Sequence, residues 1–265
     1  MKKLAVLITV VWLMSAGVSF GYQARETVEV DLVTGQGEVL QVIPHKYYEA
    51  DRMQVIKKYL EARQGQTYSI VIRNNSPERI GVVVAVDGRN IITGKKSWLK
   101  NSEMMYIIAP YGSTRLDGWR TDNSTIHQFY FTDPGDSYTV RTFNDTSAMG
   151  VIAVAAFKEK EPYRYPYQEQ RSLGKAPGPA AGAMPQRSAK DALSESAATG
   201  FGQERYSPVV RVEFEPQQTA FQKTLLKYEW RETLCRKGLL RCGGRDHNRL
   251  WDEGGYAPFP PGYDR

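Results

Sequence analysis

The stretch IGVVVAVDGRNII, Ile80 to Ile92, decides the fold. Gly81 to Val86 is a nearly unbroken run of small and β-branched apolar residues, which packs well on a pleated surface and is too short for a core helix. Such a run reads as a strand buried on both faces. Asp87-Gly88 then supplies two residues that tolerate positive φ, as a two-residue hairpin turn requires, and Ile91-Ile92 resumes the strand.

Working outward, a period of two dominates from about Glu26 to Phe157. Thr27 to Val33 and Glu38 to Ile43, separated by Gly35 and Gly37, read as a first hairpin. Lys57 to Ala62 and Thr67 to Arg73, flanking Gln64-Gly65, read as a second. Further strands are expected at Met104 to Ile108, Ser113 to Gly118 and Ile126 to Thr132, the last stopped by Asp133-Pro134-Gly135. A loop from Asp136 to Ser147 precedes Met149 to Phe157, the most apolar strand of the chain after its first residues. Many short strands with frequent turn signals predict a mainly β fold, a Greek-key or jelly-roll-like β-sandwich over residues 22–157.

The flanks have different character. Lys2 and Lys3 precede an apolar run from Leu4 to Met14, and Ser19 and Gly21 place small side chains where a signal peptidase cuts, so residues 1–21 read as a signal peptide. No later stretch is long and apolar enough for a membrane-spanning helix, which predicts a periplasmic or secreted protein that is not integral to the membrane. Residues 158–205, rich in Pro, Gly, Ala and Ser from Ser172 onward, read as a flexible linker that buries too little apolar area to offset its ordering entropy. Within 206–242, Val209 to Phe214 reads as a strand. Thr219 to Lys237 reads as an amphipathic helix carrying Phe221, Leu225, Leu226, Tyr228, Trp230, Leu234 and Cys235, capped at Gly238. This C-terminal strand-helix appendage is expected to dock on the sandwich, and residues 243–265 read as an extended tail.

Two cysteines, Cys235 and Cys242, agree with an oxidising compartment, where a disulfide closing so small a loop stabilises by roughly 2 to 3 kcal/mol. The formal charge of +6 is spread along the chain without a basic block interleaved with aromatics, which argues against nucleic-acid recognition.

Several stretches together carry a resemblance: IGVVVAVDGRNIITGKKS (Ile80 to Ser97), MYIIAPY (Met105 to Tyr111), LDGWR (Leu116 to Arg120), FYFT (Phe129 to Thr132), MGVIAVAAF (Met149 to Phe157) and YEWRETLCRKGLL (Tyr228 to Leu240). The chain resembles a family of uncharacterised exported proteins of Gram-negative bacteria. That resemblance implies export and no activity, and it carries no catalytic residue over.

Candidate chemistry rests on individual residues. Trp98, Tyr111, Trp119 and Arg120 fall in or beside predicted loops, where exposed aromatics stack on sugar rings or anchor partners. The alternative for Tyr111 and Trp119 is that they close the ends of the core. Lys95 and Lys96 beside Trp98 suit an acidic glycan. Asp87, Asp133 and Asp136 are candidate calcium ligands, although aspartate beside Gly or Pro also serves turn chemistry and the ordered spacing of a calcium loop is absent. Ser137, His127 and Asp133 are the nearest approach to a hydrolytic triad, without nucleophile-elbow spacing. The expectation is therefore a non-enzymatic β-sandwich that binds a protein or glycan of the cell envelope. The alternative is a carbohydrate-binding module or a hydrolase acting on envelope polysaccharide.

Overall fold

The computed structural model describes residues 26–160 and 196–242. The expected signal peptide, most of the expected linker and the expected tail lie outside these residues. In chain order the strands are β1 (Val28–Thr34), β2 (Val42–Ala50), β3 (Met53–Ala62), β4 (Thr67–Asn74), β5 (Ile80–Val86), β6 (Arg89–Asn90), β7 (Tyr106–Ile108), β8 (Ser113–Leu116), β9 (Gly118–Arg120), β10 (Thr125–Thr132), β11 (Val151–Lys158), β12 (Ala198–Thr199), β13 (Glu204–Tyr206) and β14 (Gln222–Trp230). Two short helices, α1 (Tyr138–Phe143) and α2 (Arg231–Arg236), complete the set.

The strands form two sheets packed as a mainly β sandwich. The first runs β1-β4-β10-β12, with β8 on β4 and with β9 and β13 on β10. The second runs β2-β3-β14-β11-β5-β6, with β7 on β5. Every named pair is antiparallel except β3 with β14, which is parallel. The core lies between the sheets, where Val30, Leu32, Ile70, Ile72, Phe129 and Phe131 of the first meet Leu60, Val82, Val84, Val154, Leu226 and Tyr228 of the second. Hydrogen bonds join the layers at several places, two of them at seams. The Gln222 side chain acts as a peptide unit, accepting from Val28 N at 3.0 Å and donating to Val28 O at 2.5 Å. At the other seam, Arg120 N donates to Ile91 O.

All seven residues of β5 are buried, as a two-faced strand should be. One face enters the intersheet core. Val83, on the other, joins Ala155, Phe157 and Ala220 in a small second core that Leu99 and Met105 cover from outside. Asp87 and Gly88 take φ of 48° and 77°, making the expected tight turn into β6.

The two expected hairpins do not form. β1 pairs with β4 and β2 with β3, so each connection crosses between sheets; only an isolated bridge, Val33 to Val39, remains of the first. Alternation marks which side chains face a core, and it carries no information about which sheet a strand joins. The hairpin that does form here turns at Asp51-Arg52, both left-handed. The loop expected at 136–147 contains α1, whose N-cap Ser137 accepts from Val140 N.

A C-terminal strand and a shorter helix are present, but the strand is not the expected one. Val209 to Phe214 makes no ladder, and the residues read as helix are mostly β14, with Gln222, Thr224, Leu226 and Tyr228 turned inward at a period of two. Only Arg231–Arg236 is helical, and Cys235 lies at disulfide distance from Cys242, with Cα atoms 5.5 Å apart. Paired apolar residues such as Leu225-Leu226 satisfy both periods, and the slot between β3 and β11 decides the outcome. The strand is thus central to its sheet rather than docked upon it. Ala198–Thr199 within the expected linker and Glu204–Tyr206 across its end add strands to the first sheet.

Leu226 has no exposed area while Leu225 is only half-buried. Leu226→Ala is therefore expected to lower stability by about 2–5 kcal/mol and Leu225→Ala by well under half as much, measured by chemical denaturation. Equal losses at the two positions would contradict the strand register.

Candidate functional site

The connection from β6 to β7 runs over the outer face of the second sheet and presents Trp98, 68% exposed. Its shape is set by one carboxylate. Glu103 accepts from Trp98 N at 2.8 Å, Lys100 N at 2.9 Å and the Ser97 hydroxyl at 2.7 Å, with the Asn90 amide further off at 3.4 Å. Partial burial opposes the charged form, but these donors outweigh it, so the carboxyl sits below its usual range. Leu99 anchors the loop from beneath in the second core. Above it, the Lys96 ammonium lies 5.6 Å from the Trp98 ring centre. The result is an exposed indole held in place rather than on a mobile tip.

The other three expected binding residues do not join it in one face. Tyr111 is exposed in the β7–β8 connection, at a turn organised by the buried amide of Asn74, which donates to Glu78 O and Ala109 O. Trp119 is a correction to the surface reading. Only 2% exposed, it packs on Phe129 and Tyr138 and donates from Nε1 to Gly200 O at 3.0 Å, so it closes the core. Arg120 clamps the chain after β13, donating to Ser207 O, Asp122 O and the Tyr106 hydroxyl.

The three aspartates are likewise dispersed into structural roles. Asp87 is 2% exposed and accepts from Gly150 N, Thr199 N and the Tyr228 hydroxyl. Asp133 accepts from Gln64, while Asp136 pairs with Arg141 and accepts from Tyr130. Among the described residues, no three His, Cys, Asp or Glu side chains gather into a group able to hold a metal ion. The residues weighed as a triad are also occupied: Ser137 caps α1, and His127 bonds Gly202 O and stacks on Phe201.

A groove of about 380 Å³ on the outer face of the first sheet escaped the sequence reading. Ile126 lines it, and its polar wall is a linked set in which Ser69 donates to Asp117 at 2.6 Å and Arg115 bonds both. Arg205 and Tyr206 of β13 form part of the opposite wall. No sequence signal marked it, because β13 straddles the end of the stretch read as linker.

Comparison of the chain with protein-family models, with curated proteins and with solved structures returns no match. The geometry of the molecule is therefore the basis for its function.

Burial raises the Asp87 carboxyl to about 6, against the opposing bonds from Tyr228, Thr199 and Gly150. Because the folded value lies above the unfolded one near 3.9, this group contributes stability in acid that is lost as pH rises through about 6. Between pH 7 and pH 5 the unfolding free energy is expected to rise by about 1–1.5 kcal/mol from this group, and Asp87→Asn should remove that rise. Denaturation of both proteins across this range checks it.

Proposed function

We propose that this chain is an exported, non-enzymatic binding protein of the bacterial cell envelope, periplasmic or secreted, with the surface around Trp98 as its contact. The observation that carries the reading is the exposed indole on a loop fixed by Glu103. Tryptophan on the surface of a folded domain costs solvation without helping the core, and a rigid ring forfeits little entropy on binding. Lys96 beside the ring adds a positive charge, which suits the face of a sugar carrying a carboxylate, or an acidic protein surface. Export is supported by the basic and apolar start of the sequence, by the resemblance to exported proteins and by the cysteine pair at disulfide distance. No helix among the described residues is long and apolar enough to cross a membrane. The non-enzymatic reading is supported by the structural employment of Ser137, His127 and Asp133.

A thermal-shift screen against neutral and uronic-acid oligosaccharides tests the glycan form of this reading, because a ligand bound only by the native state raises Tm. A saturable rise with the acidic sugars is expected, abolished in Trp98→Ala and reduced in Glu103→Gln, which loosens the loop. A photoreactive residue at position 98 tests the protein form by cross-linking in envelope extracts. Absence of both a glycan shift and a specific cross-link overturns the proposal. Release of reducing ends from envelope polysaccharide by the purified chain would favour the hydrolase instead.

A further inference from the structure

Between β13 and β14 the chain crosses the outside of the sandwich as SPVVRVEFEPQ, Ser207 to Gln217, extended but without a ladder partner on one side. Its two edges differ. Odd-numbered residues on either side of Arg211 turn their backbone toward the body: Ser207 N donates to Ser124 O, Val209 N to Asn123 O and Gln217 N to Lys158 O. Glu213 O accepts from the Arg79 guanidinium, and Glu215 O from Lys160 N. The even-numbered residues Val210, Val212 and Phe214 make no backbone hydrogen bond among the described residues. Their N–H and C=O groups form a bare edge, bracketed by Pro208 and Pro216, which have no N–H to offer.

Side chains along this edge are bare as well. Val210 is 85% exposed and Val212 53%, while Phe214 is half-buried in the space above Gly81 and beside Met105. β-branched residues exposed along an unpaired edge are a template for strand addition. The sequence of the edge says which strand fits.

We propose that this edge pairs with the same edge of a second copy, antiparallel about a twofold axis through Val212. In that register Arg211 stands opposite Glu213 of the other copy, twice, and Val210 stands opposite Phe214, twice. Val212 exchanges both backbone bonds with its own counterpart, and Val210 exchanges them with Phe214. Pro208 falls opposite Pro216, so the ladder ends where donors end. The register uses only backbone groups that make no bond among the described residues, and it matches opposite charges on one side and apolar residues on the other. Among the described residues, the side chains of Arg211 and Glu213 make no ion pair that would compete. A ladder this short makes a weak, concentration-dependent dimer.

Sedimentation velocity of the purified chain over a range of concentrations tests this. The wild-type chain is expected to move from monomer to dimer as concentration rises. Glu213→Arg and Arg211→Glu should each stay monomeric alone, because each sets two like-charged pairs across the axis. An equimolar mixture of the two variants should dimerise again, since one then carries two positive and the other two negative charges on the strand. Circular dichroism and melting curves unchanged from wild type establish that both variants fold. A wild-type chain that stays monomeric overturns the proposal and leaves the edge to another segment or a different protein. Variants that dimerise as well as wild type overturn this register.

Discussion

A carboxylate taken out of water must find donors, and Asp87 finds three from three different parts of the chain. It stands at the turn after β5, receives Gly150 N from the approach to β11 and Thr199 N from β12, and takes the Tyr228 hydroxyl of β14 at 2.5 Å. Thr199 Oγ1 lies 2.7 Å from the Tyr228 hydroxyl and 2.8 Å from that of Tyr68 on β4, so the network reaches from the second sheet into the first. A partly satisfied network of this kind would cost more than an apolar core, so the five segments are specified together. Burial also pushes the Tyr68 and Tyr228 hydroxyls well above their usual range, keeping both as neutral groups able to donate.

This arrangement explains how residues after the long internal connection become part of the body. Ala197 and Ala198 are buried, and Thr199 is held by Asp87, so the chain returning at β12 enters the first sheet before passing outside as the segment that leads to β14. β14 then fills the middle of the second sheet, parallel to β3 and antiparallel to β11. The crossing segment and the Trp98 loop are both by-products of this route: each lies over the outer face of a sheet whose inner face is already committed. Their exposed residues are where the molecule has apolar area left to offer. The two meet on the second sheet, since Phe214 and Met105 both lie over Gly81 and the Asn101 amide donates to Gln217 O.

The legibility of the sequence followed the nature of each signal. β5, its turn, β10 and β11 were readable because dense β-branched runs and Asp-Gly chemistry act locally. Trp98 was readable as a loop aromatic, but its rigidity was not, since the four donors of Glu103 come from a loop conformation. Trp119 has the same local signature and the opposite fate, because Phe129, Tyr138 and Gly200 enclose it from distant positions. The groove between Arg115 and Arg205 had no local signature at all.

By itself the sequence determined the mainly β character, the two-faced central strand and the residues suited to tight turns, since these depend on φ preferences and on side chains near their own backbone. Tertiary structure alone decided which strands pair, whether Leu225 and Leu226 sit on a helix or a strand, and which aspartates are buried. Those outcomes turn on long-range competition for the same core area and donors, a free-energy comparison across the whole chain that no short stretch contains.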